Sequence, residues 1–244
     1  MRVDEYRKLA ETEDRMWYFR ALHRRRAHWL ARLLPAGEAV HVLDAGCGTG
    51  GFIQTLRAEH PAWTVTGVDV SPLACALARE RGQVDIVEGS LVALPFADGT
   101  FDAISTGDVI YHIADTPAVL REIVRCLKPG GVVALNEPAY RWLWSYHDDA
   151  TEAKHRFTRP ELVEKMRAAG LEVKFASYAN LLTLPLVAAR RKLFPPSQPT
   201  SDVQLFPAPI EAFFSATSWL EHAWTRRGWP LPAGSSVFVA AVKR

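Results

Sequence analysis

The chain has 244 residues, of which 48% are hydrophobic and 23% are charged, with a formal net charge of +2 at pH 7 and a pI near 8.5. This composition is typical of a globular protein and excludes a disordered or fibrous chain. The charge is too small to indicate a polyanionic partner, so we do not expect a nucleic-acid ligand.

Short apolar runs alternate with helical patterns from Val40 to Glu137. The runs are rich in Val and Ile and end in Gly, Asp or Asn, which predicts strands. The predicted strands are His41–Asp44, Trp63–Asp69, Val84–Val87, Phe101–Thr106 and Val132–Asn136. The predicted helices between them are Phe52–Glu59, Pro72–Arg81 and Pro117–Leu127. This alternation is typical of a parallel sheet with helices on both faces.

Further helical signals follow this central part. Thr158 and Glu161 form a capping-box pattern that opens a helix. Residues 180–229 contain two segments, LLTLPLVAARRKLF and IEAFFSATSWLEHAWTRRGW, which have helical spacing and are apolar on one side. Between these segments, the proline-rich stretch Pro195–Pro209 predicts a loop.

The stretch Val42–Phe52, VLDAGCGTGGF, matches two glycine templates. One is the dinucleotide fingerprint G-x-G-x-x-G, and the other is G-x-G-x-G. Because the stretch follows a strand of an open parallel sheet, we expect it in the ligand crevice at the carboxyl ends of the strands. Amides at the start of the next helix favour a negative group there. The chain lacks G-x-x-x-x-G-K-[ST], which argues against a nucleoside triphosphate.

Two acidic residues distinguish these templates. Asp44 precedes Gly46 by two residues, where its carboxylate would repel a pyrophosphate and attract an ammonium group. A ligand that carries both an ammonium and a carboxylate group is an amino acid derivative. Asp69 ends the second predicted strand and is suited to accept hydrogen bonds from ribose hydroxyls. Together the two acids indicate S-adenosylmethionine and disfavour a nicotinamide dinucleotide.

The segments VLDAGCGTG, GVDVS, LPFADGTFDAI, DVIYHIAD and LREIVRCLKPGG occur in an order that resembles one protein family. The family is the class I S-adenosylmethionine-dependent methyltransferases, in the methyltransferase type 11 or ubiquinone-menaquinone methyltransferase-like group. The resemblance implies a Rossmann-like α/β fold with a seven-stranded, mostly parallel sheet, helices on both faces and helical cap elements. The carboxyl-terminal segment GSSVFVAAVKR resembles the antiparallel last strand.

The resemblance also implies a cofactor site, with S-adenosylhomocysteine as the product. The glycine loop would lie along the methionine part, the acid after the second strand would hold the ribose, and the segment after the third strand would border the adenine. The expected cofactor-binding residues are Asp44, Gly46, Cys47, Gly48, Gly50, Asp69, Val70, Ser90, Leu91, Tyr18 and Arg20. Many members of the family have an Asp where this chain has Ser90, so the adenine amino group would meet an uncharged, weaker acceptor.

The amino-terminal segment Glu13–Leu30, EDRMWYFRALHRRRAHWL, resembles a subgroup of this family. We expect it to cover the cofactor pocket, with aromatic walls and an arginine that reaches a carboxylate. The aromatic residues are Trp17, Tyr18 and Phe19, and the arginines are Arg20 and Arg24. The alternative is that the aromatic side chains pack a helix on the sheet while the arginines face solvent.

The segment Asn136–Thr158 follows a central strand and should lie near the transferred methyl group. Histidine is the natural proton acceptor near neutral pH, so we expect His147 to act as general base and Asp148 to orient it. The alternatives are His112, Tyr111 and His155, or an acceptor that needs no base. The spacing of His147, Asp148, Asp149 and His155 matches no zinc or calcium template, so no metal site is expected.

The expected organisation is a single methyltransferase domain. Its parts are an amino-terminal helical lid at residues 1–35, a cofactor-binding core at 36–178, a helical insertion at 179–230 and the last strand at 231–244. We expect the insertion to cap an acceptor pocket with its apolar side. Two alternatives are that its helices complete the core, or that the first lies on a membrane surface with Arg190, Arg191 and Lys192 at the headgroups.

Cysteine usage and hydropathy predict the location of the protein. Cys47, Cys75 and Cys126 are widely spaced and odd in number, which favours a reducing cytoplasm over a disulfide framework or a zinc site. No apolar run approaches the roughly 18 residues of a membrane span. The residues Met1–Glu5 lack the apolar core of a signal peptide, so we expect a soluble protein.

The expected activity is methyl transfer from S-adenosylmethionine to a small molecule. The acceptor atom would be oxygen or nitrogen, with carbon as a further option, and the acceptor would be apolar or aromatic, as in specialised metabolism or in glycan or lipid modification. One alternative is a nucleic-acid or protein methyltransferase. Another is a protein of the same fold that binds the cofactor but catalyses a reaction other than methylation. The sequence leaves the oligomeric state open.

Overall fold

A computed structural model describes residues 3–35, 39–83, 85–196 and 201–244. The strands are β1 His41–Ala45, β2 Thr64–Asp69, β3 Ile86–Glu88, β4 Phe101–Gly107, β5 Leu127–Pro138, β6 Leu171–Ala179 and β7 Ser236–Lys243. The α-helices are α1 Val3–Thr12, α2 Trp17–Leu33, α3 Gly51–Glu59, α4 Pro72–Glu80, α5 Thr116–Cys126, α6 Tyr146–Ala150, α7 Arg159–Ala168, α8 Leu184–Lys192 and α9 Ala208–Thr225.

The strands form one seven-stranded sheet in the order β3-β2-β1-β4-β5-β7-β6. β1 to β5 pair in parallel, whereas β7 is antiparallel to both β5 and β6. The sequence-based fold, including the antiparallel last strand, is therefore confirmed. The strand order reverses between β1 and β4, so the crevice lies beyond the carboxyl ends of these two strands.

One predicted strand differs markedly from the structure at its ends. β5 is longer than the predicted Val132–Asn136, because Leu127 already pairs with Phe101 and Pro138 still pairs with Ser236. Pairing on both sides of the strand thus continues it beyond its apolar run. Of the predicted strand Val84–Val87, Val84 lies outside the described residues. The same holds for residues 197–200 of the predicted proline-rich loop.

Neighbouring residues of the strands fill two separate cores, one on each face of the sheet. Leu43 belongs to the core under α5 and α7, and Val42 belongs to the core under α2 and α3. This follows from the alternation of side chains along a strand. Trp29 of α2 stacks on Phe175 of β6 with ring centroids 4.0 Å apart, which fixes α2 on the second face.

Side-chain caps hold three of the helices in place. Thr158 and Glu161 form the expected capping box at α7, and Ser71 caps α4. A second box at α6 joins Ser145 and Asp148. Loss of one such cap costs about 1 kcal/mol of stability.

The helices of the insertion bury no apolar side chain, so the alternative that they complete the core is wrong. α8 has no buried residue, and the residues that α9 buries are Ser218, Glu221 and Thr225. Several large apolar side chains of these helices are instead exposed. Within residues 3–35, 39–83, 85–196 and 201–244, no helix combines the length and the apolar character needed to cross a lipid bilayer.

Candidate active site

A cavity of about 730 Å³ lies beyond the carboxyl ends of the central strands. It is bounded by α1 and α2, the glycine loop after β1, the segment after β4 and the insertion. The predicted site residues in its lining are Asp44, Gly46, Cys47, Gly48, Asp69, Val70, Ser90, Leu91, Tyr18, Tyr111, His112 and His147. Gly50, Arg20 and Asp148 were also predicted to belong to the site, but they do not line this cavity.

The glycine loop depends on backbone conformations that other residues rarely adopt. Gly46 and Gly50 have φ angles of 80° and 86°, in the left-handed region. A Cβ atom on Gly46 would lie 2.4 Å from Val109 Cγ2, so a side chain would close the space between the loop and β4. Gly50 is the residue before α3, where it shapes the turn rather than the cavity wall.

Asp69 is held at the cavity wall by backbone amides. Its Oδ2 accepts from the Gly48 amide at 2.9 Å, and its Oδ1 accepts from the Ser71 amide at 2.9 Å. Burial raises the pKa of the Asp69 carboxyl, and these two hydrogen bonds oppose that shift. The carboxylate is therefore oriented for hydroxyl donors in the cavity, as the ribose assignment requires.

Asp44 forms a buried ion pair that the sequence did not reveal. Arg26 of α2 donates from Nη2 to Asp44 Oδ1 at 2.5 Å, and the two side chains are only 4% and 2% exposed. The Arg26 Nε also donates to Ser105 Oγ at 2.8 Å, and the guanidinium lies 3.7 Å from the Phe52 ring centroid. Burial raises the pKa of Asp44, and the Arg26 charge opposes this rise.

This pair corrects the prediction that Arg20 or Arg24 reaches into the pocket. Arg20 is exposed and Arg24 does not line the cavity, whereas Arg26 lies four residues after Leu22 on the inward face of α2. The positions of the buried residues Leu22 and Trp29 around the helix axis indicate which arginine of α2 faces inward. Together Arg26 and Asp44 present both charges that a zwitterionic amino acid group would pair with.

Glu13 connects the amino-terminal helices to the glycine loop. It lies between α1 and α2, is 4% exposed, and accepts hydrogen bonds from the Thr49 hydroxyl and the Arg81 guanidinium. Burial raises the pKa of Glu13 to about 7, and its two partners oppose this rise. The carboxylate thus joins the loop before α2, the glycine loop and the end of α4.

The aromatic residues at the start of α2 serve both of the roles considered from the sequence. Trp17, Tyr18 and Phe19 all line the cavity. The Tyr18 hydroxyl donates to Asp108 Oδ2 at 2.7 Å, and the Trp17 ring packs on Phe214 of α9 with centroids 5.0 Å apart. The same residues therefore form a wall of the cavity and pack α2 against its neighbours.

Glu137 positions the segment that carries Tyr111 and His112. It is fully buried at the end of β5 and accepts from the amides of Ile110 and Tyr111 at 3.1 and 3.0 Å. Burial raises its pKa to about 8. The short 3₁₀ helix Ile110–His112 is thereby fixed beside the glycine loop. No local pattern could reveal this contact, because Glu137 lies 27 and 26 residues from its two partners along the chain.

His112 lines the cavity with one ring nitrogen free. Its Nδ1 is buried and has no partner among the described residues. The ring also hydrogen-bonds to the backbone of Glu152. A histidine ring can bond to a carbonyl only as a donor, so Nε2 carries the proton and Nδ1 keeps its lone pair. Burial lowers the pKa of His112 to about 4, so the ring is neutral at pH 7.

His147 is constrained differently. Its Nδ1 accepts from the Asp202 amide at 3.0 Å, so the proton lies on Nε2 and the ring is a donor toward further partners. Burial lowers the pKa of His147 to about 4. This arrangement leaves no free lone pair on the ring that could accept a substrate proton.

The predicted contact in which Asp148 orients His147 is wrong. Asp148 Oδ1 accepts from Arg156 Nε at 2.6 Å, and its Oδ2 accepts from the Ser145 amide at 2.9 Å. The capping box of α6 therefore determines the role of Asp148. The other candidate base, His155, bonds to Glu161 at 2.8 Å on the surface and does not line the cavity.

The part of the cavity beyond the glycine loop is largely apolar. Its apolar lining consists of Trp17, Phe19, Leu22, Ile113, Leu186, Val187, Val203, Phe206, Ile210 and Phe214. Arginines lie on one side of it: Arg191 donates to Asp202 Oδ2 at 3.0 and 2.9 Å, and Arg190 is exposed at the edge. Among the described residues, no group of three or more His, Cys, Asp or Glu side chains is placed to hold a metal ion.

Comparisons with known proteins agree with this architecture. A family described as Methyltransferase domain matches residues 43–135. A malonyl-[acyl-carrier protein] O-methyltransferase of Erwinia pyrifoliae is 35% identical over 167 residues, which cover 64% of this chain and 62% of that protein. The protein of the same name from Enterobacter lignolyticus is 32% identical over 175 residues, or 69% of this chain and 67% of the relative.

A solved structure resembles nearly the whole chain. It belongs to the complex between the Haloferax volcanii Trm112 methyltransferase activator and a methyltransferase. The TM-score is 0.60 at 25% identity, and the match covers 98% of this chain and 97% of the other. The structural match thus extends beyond residues 43–135 to α1, α2, α8 and α9. This chain covers less than two thirds of the length of the Erwinia protein.

Asp69→Ala is expected to raise the Kd of S-adenosylhomocysteine about a hundredfold, because two hydrogen bonds to a charged acceptor are lost. Isothermal titration calorimetry measures this change. Asp85→Ala is the matched control, because Asp85 pairs with Arg57 on the surface. Equal affinities of the two variants would contradict the ribose assignment.

Glu13→Ala is expected to raise the same Kd about tenfold, because the segment between α1 and α2 loses its connection to the glycine loop. The exposed neighbour Glu11 provides the control Glu11→Ala.

The folded-state pKa of Glu13 is about 7, so its ion pair with Arg81 is lost as the pH falls through this value. The Kd of S-adenosylhomocysteine for the wild type should therefore increase as the pH is lowered from about 8 to about 6. The Kd for Glu13→Gln should stay constant over the same range. The same pH dependence in Glu13→Gln would exclude Glu13 as its origin.

Proposed function

Because the chain belongs to the class I S-adenosylmethionine-dependent methyltransferases, we propose that it transfers a methyl group to an oxygen or nitrogen atom of an apolar small molecule. The observation that carries this proposal is the continuity of the cavity. It joins the glycine loop with its two acids to the apolar walls contributed by α2 and the insertion. Cofactor and acceptor can therefore share one enclosed space.

The residues of the loop fit S-adenosylmethionine. Asp69 would accept hydrogen bonds from the ribose, and Ser90 and Leu91 would border the adenine. Asp44 and Arg26 would pair with the ammonium and carboxylate groups of the methionine part. When bound, the cofactor supplies an electrophilic methyl group on a sulfonium centre.

The protein then has to align the acceptor and exclude water. The wall formed by Trp17, Tyr18 and Phe19 covers the cavity from one side, and Glu13 holds this wall to the glycine loop. The apolar lining favours an acceptor of matching character, because its burial removes apolar surface from water.

We assign the general base to His112 rather than to His147. A base requires a free lone pair, which His112 has on Nδ1 and which His147 uses to bind the Asp202 amide. His147 would instead donate from Nε2 and hold an acceptor oxygen in place. Tyr111 is a poor base, because burial raises its pKa and its hydroxyl stays protonated.

A second candidate is esterification of a carboxylate acceptor. Arg190 lines the cavity and belongs to no ion pair among the described residues, so it could pair with an acidic acceptor. Two of the relatives are named for O-methylation of malonyl-[acyl-carrier protein]. A carboxylate is already deprotonated at neutral pH and requires no base. The two candidates therefore differ in their dependence on His112.

His112→Ala is expected to keep S-adenosylhomocysteine affinity and to lose about 10²–10⁴-fold in kcat, the usual contribution of a general base. His147→Ala should lower kcat less than about tenfold, because one neutral hydrogen bond is lost. Release of S-adenosylhomocysteine from S-adenosylmethionine, measured with a panel of phenols, alcohols, amines and carboxylic acids, tests this order. A larger loss of kcat in His147→Ala than in His112→Ala would assign the general base to His147. Unchanged turnover of both variants would favour a carboxylate acceptor. Release with none of the acceptors would contradict methyl transfer.

The pH dependence of kcat provides a separate test. The neutral ring of His112 is the active form, and its pKa is lowered to about 4. We therefore expect kcat to stay constant from pH 8 down to about 5 and to fall only near 4, rather than near the ordinary histidine value of about 6.5. A decline centred near the ordinary value would assign the base to a more exposed group.

A further inference from the structure

α9 exposes most of its large apolar side chains, apart from Phe214 at the cavity wall, and the residues that it buries are polar. Phe213, Leu220 and Trp224 are 54%, 57% and 48% exposed. Their positions, seven and then four residues apart, place them on one stripe of the helix. The buried face carries Ser218 and Glu221. This is the reverse of the usual surface helix, whose apolar side faces the core.

Specific contacts hold α9 in this orientation. Glu221 accepts from the amides of Asn180 and Leu182 at 2.7 and 2.8 Å. Glu211 accepts from the amides of Trp17 and Phe206 at 2.9 and 3.0 Å. Because both carboxylates are paired with backbone donors, rotation of the helix would leave four amides without these partners. The outward apolar stripe is therefore a fixed feature of the fold.

α8 adds further exposed apolar side chains next to the cavity. Leu186 of α8 is 51% exposed, and Leu193 and Phe194, which follow the helix, are 70% and 68% exposed. Leu186 also lines the cavity, as does Ile210 of α9, which is 42% exposed. One exposed apolar residue of each helix therefore lies at the cavity wall.

The charges next to these stripes are positive. Arg190 and Lys192 end α8, and Arg226 and Arg227 follow α9; all four are exposed and none forms an ion pair within the described part of the chain. The acids of the same segment are bound internally: Asp202 to Arg191, and Glu211 and Glu221 to backbone amides. A ligand on this surface would therefore meet an apolar centre with cations at its ends.

We propose that α8 and α9 bind the surface of an anionic lipid bilayer. Outward apolar side chains with Arg and Lys at the margins are the pattern of helices that lie in a membrane interface. Trp219, Trp224 and Trp229 are 59%, 48% and 50% exposed, and tryptophan is enriched at the level of the lipid headgroups.

This docking brings the cavity wall at Leu186 and Ile210 to the bilayer, so an apolar acceptor can pass from the lipid to the cavity. That step rests on the proposed function, whereas the docking itself does not. The proposal therefore has to be tested without any acceptor or turnover.

Flotation of the full chain with vesicles tests the docking. One set of vesicles contains phosphatidylcholine alone, and the other contains phosphatidylcholine and phosphatidylglycerol in equal parts. We expect strong binding to the anionic vesicles, weak binding to the neutral ones, and release as salt is raised. The double variants Phe213→Ser/Leu220→Ser and Arg226→Glu/Arg227→Glu should each lower the partition coefficient at least about tenfold. None of these four residues lines the cavity.

Arg167→Glu is the matched control, because Arg167 is exposed on α7, on the other face of the sheet. Circular dichroism and S-adenosylhomocysteine affinity verify that each variant is folded. Absence of flotation, or equal flotation of all variants, would overturn the proposal. The proposal would also be overturned if light scattering showed a dimer that only Phe213→Ser/Leu220→Ser dissociates. The apolar stripe of α9 would then bind a second copy of the chain. Failure of cofactor binding in a chain that floats would instead contradict the proposed function alone.

Discussion

The buried ion pair between Arg26 and Asp44 is the interaction on which the active-site geometry depends. It joins α2, from the amino-terminal segment, to the end of β1, where the glycine loop begins. Each charge is almost completely removed from water, so either one alone would carry a desolvation penalty of several kcal/mol. The position of α2 over the sheet is therefore coupled to the presence of Asp44. α2 and the glycine loop form one structural unit for this reason.

The sequence predicted those parts of the site that depend on local patterns. The glycine loop, Asp69 and the strands β1 to β5 follow from alternation, turn residues and order along the chain. The correct arginine did not follow, because Arg20, Arg24 and Arg26 differ only in their phase on α2, and the burial of Leu22 and Trp29 fixes that phase. Glu13 is separated by 36 residues from Thr49 and by 68 from Arg81, so no local pattern could reveal its contacts.

The proton donor and acceptor roles of His112 and His147 could not be predicted from the sequence either. Both residues are histidines in segments that follow central strands, and burial lowers the pKa of each. They differ in the partners of their ring nitrogens: the amide that binds His147 belongs to Asp202, 55 residues along the chain. Proton donor and acceptor roles are set by such partners rather than by residue type. The insertion therefore sets which ring nitrogen of His147 carries the proton, since it supplies this amide.

The inverted polarity of α9 connects the surface to the cavity. Glu211, on the inner side of α9, holds the amide of Trp17, the first residue of the same helix that carries Arg26. Glu221 holds the segment that leads into α8 and hence to Leu186 at the cavity wall. If the inner face were apolar, the core would fix α9 without these specific contacts. Because the contacts are polar and specific, the position of α9 is coupled both to the start of α2 and to the segment before α8.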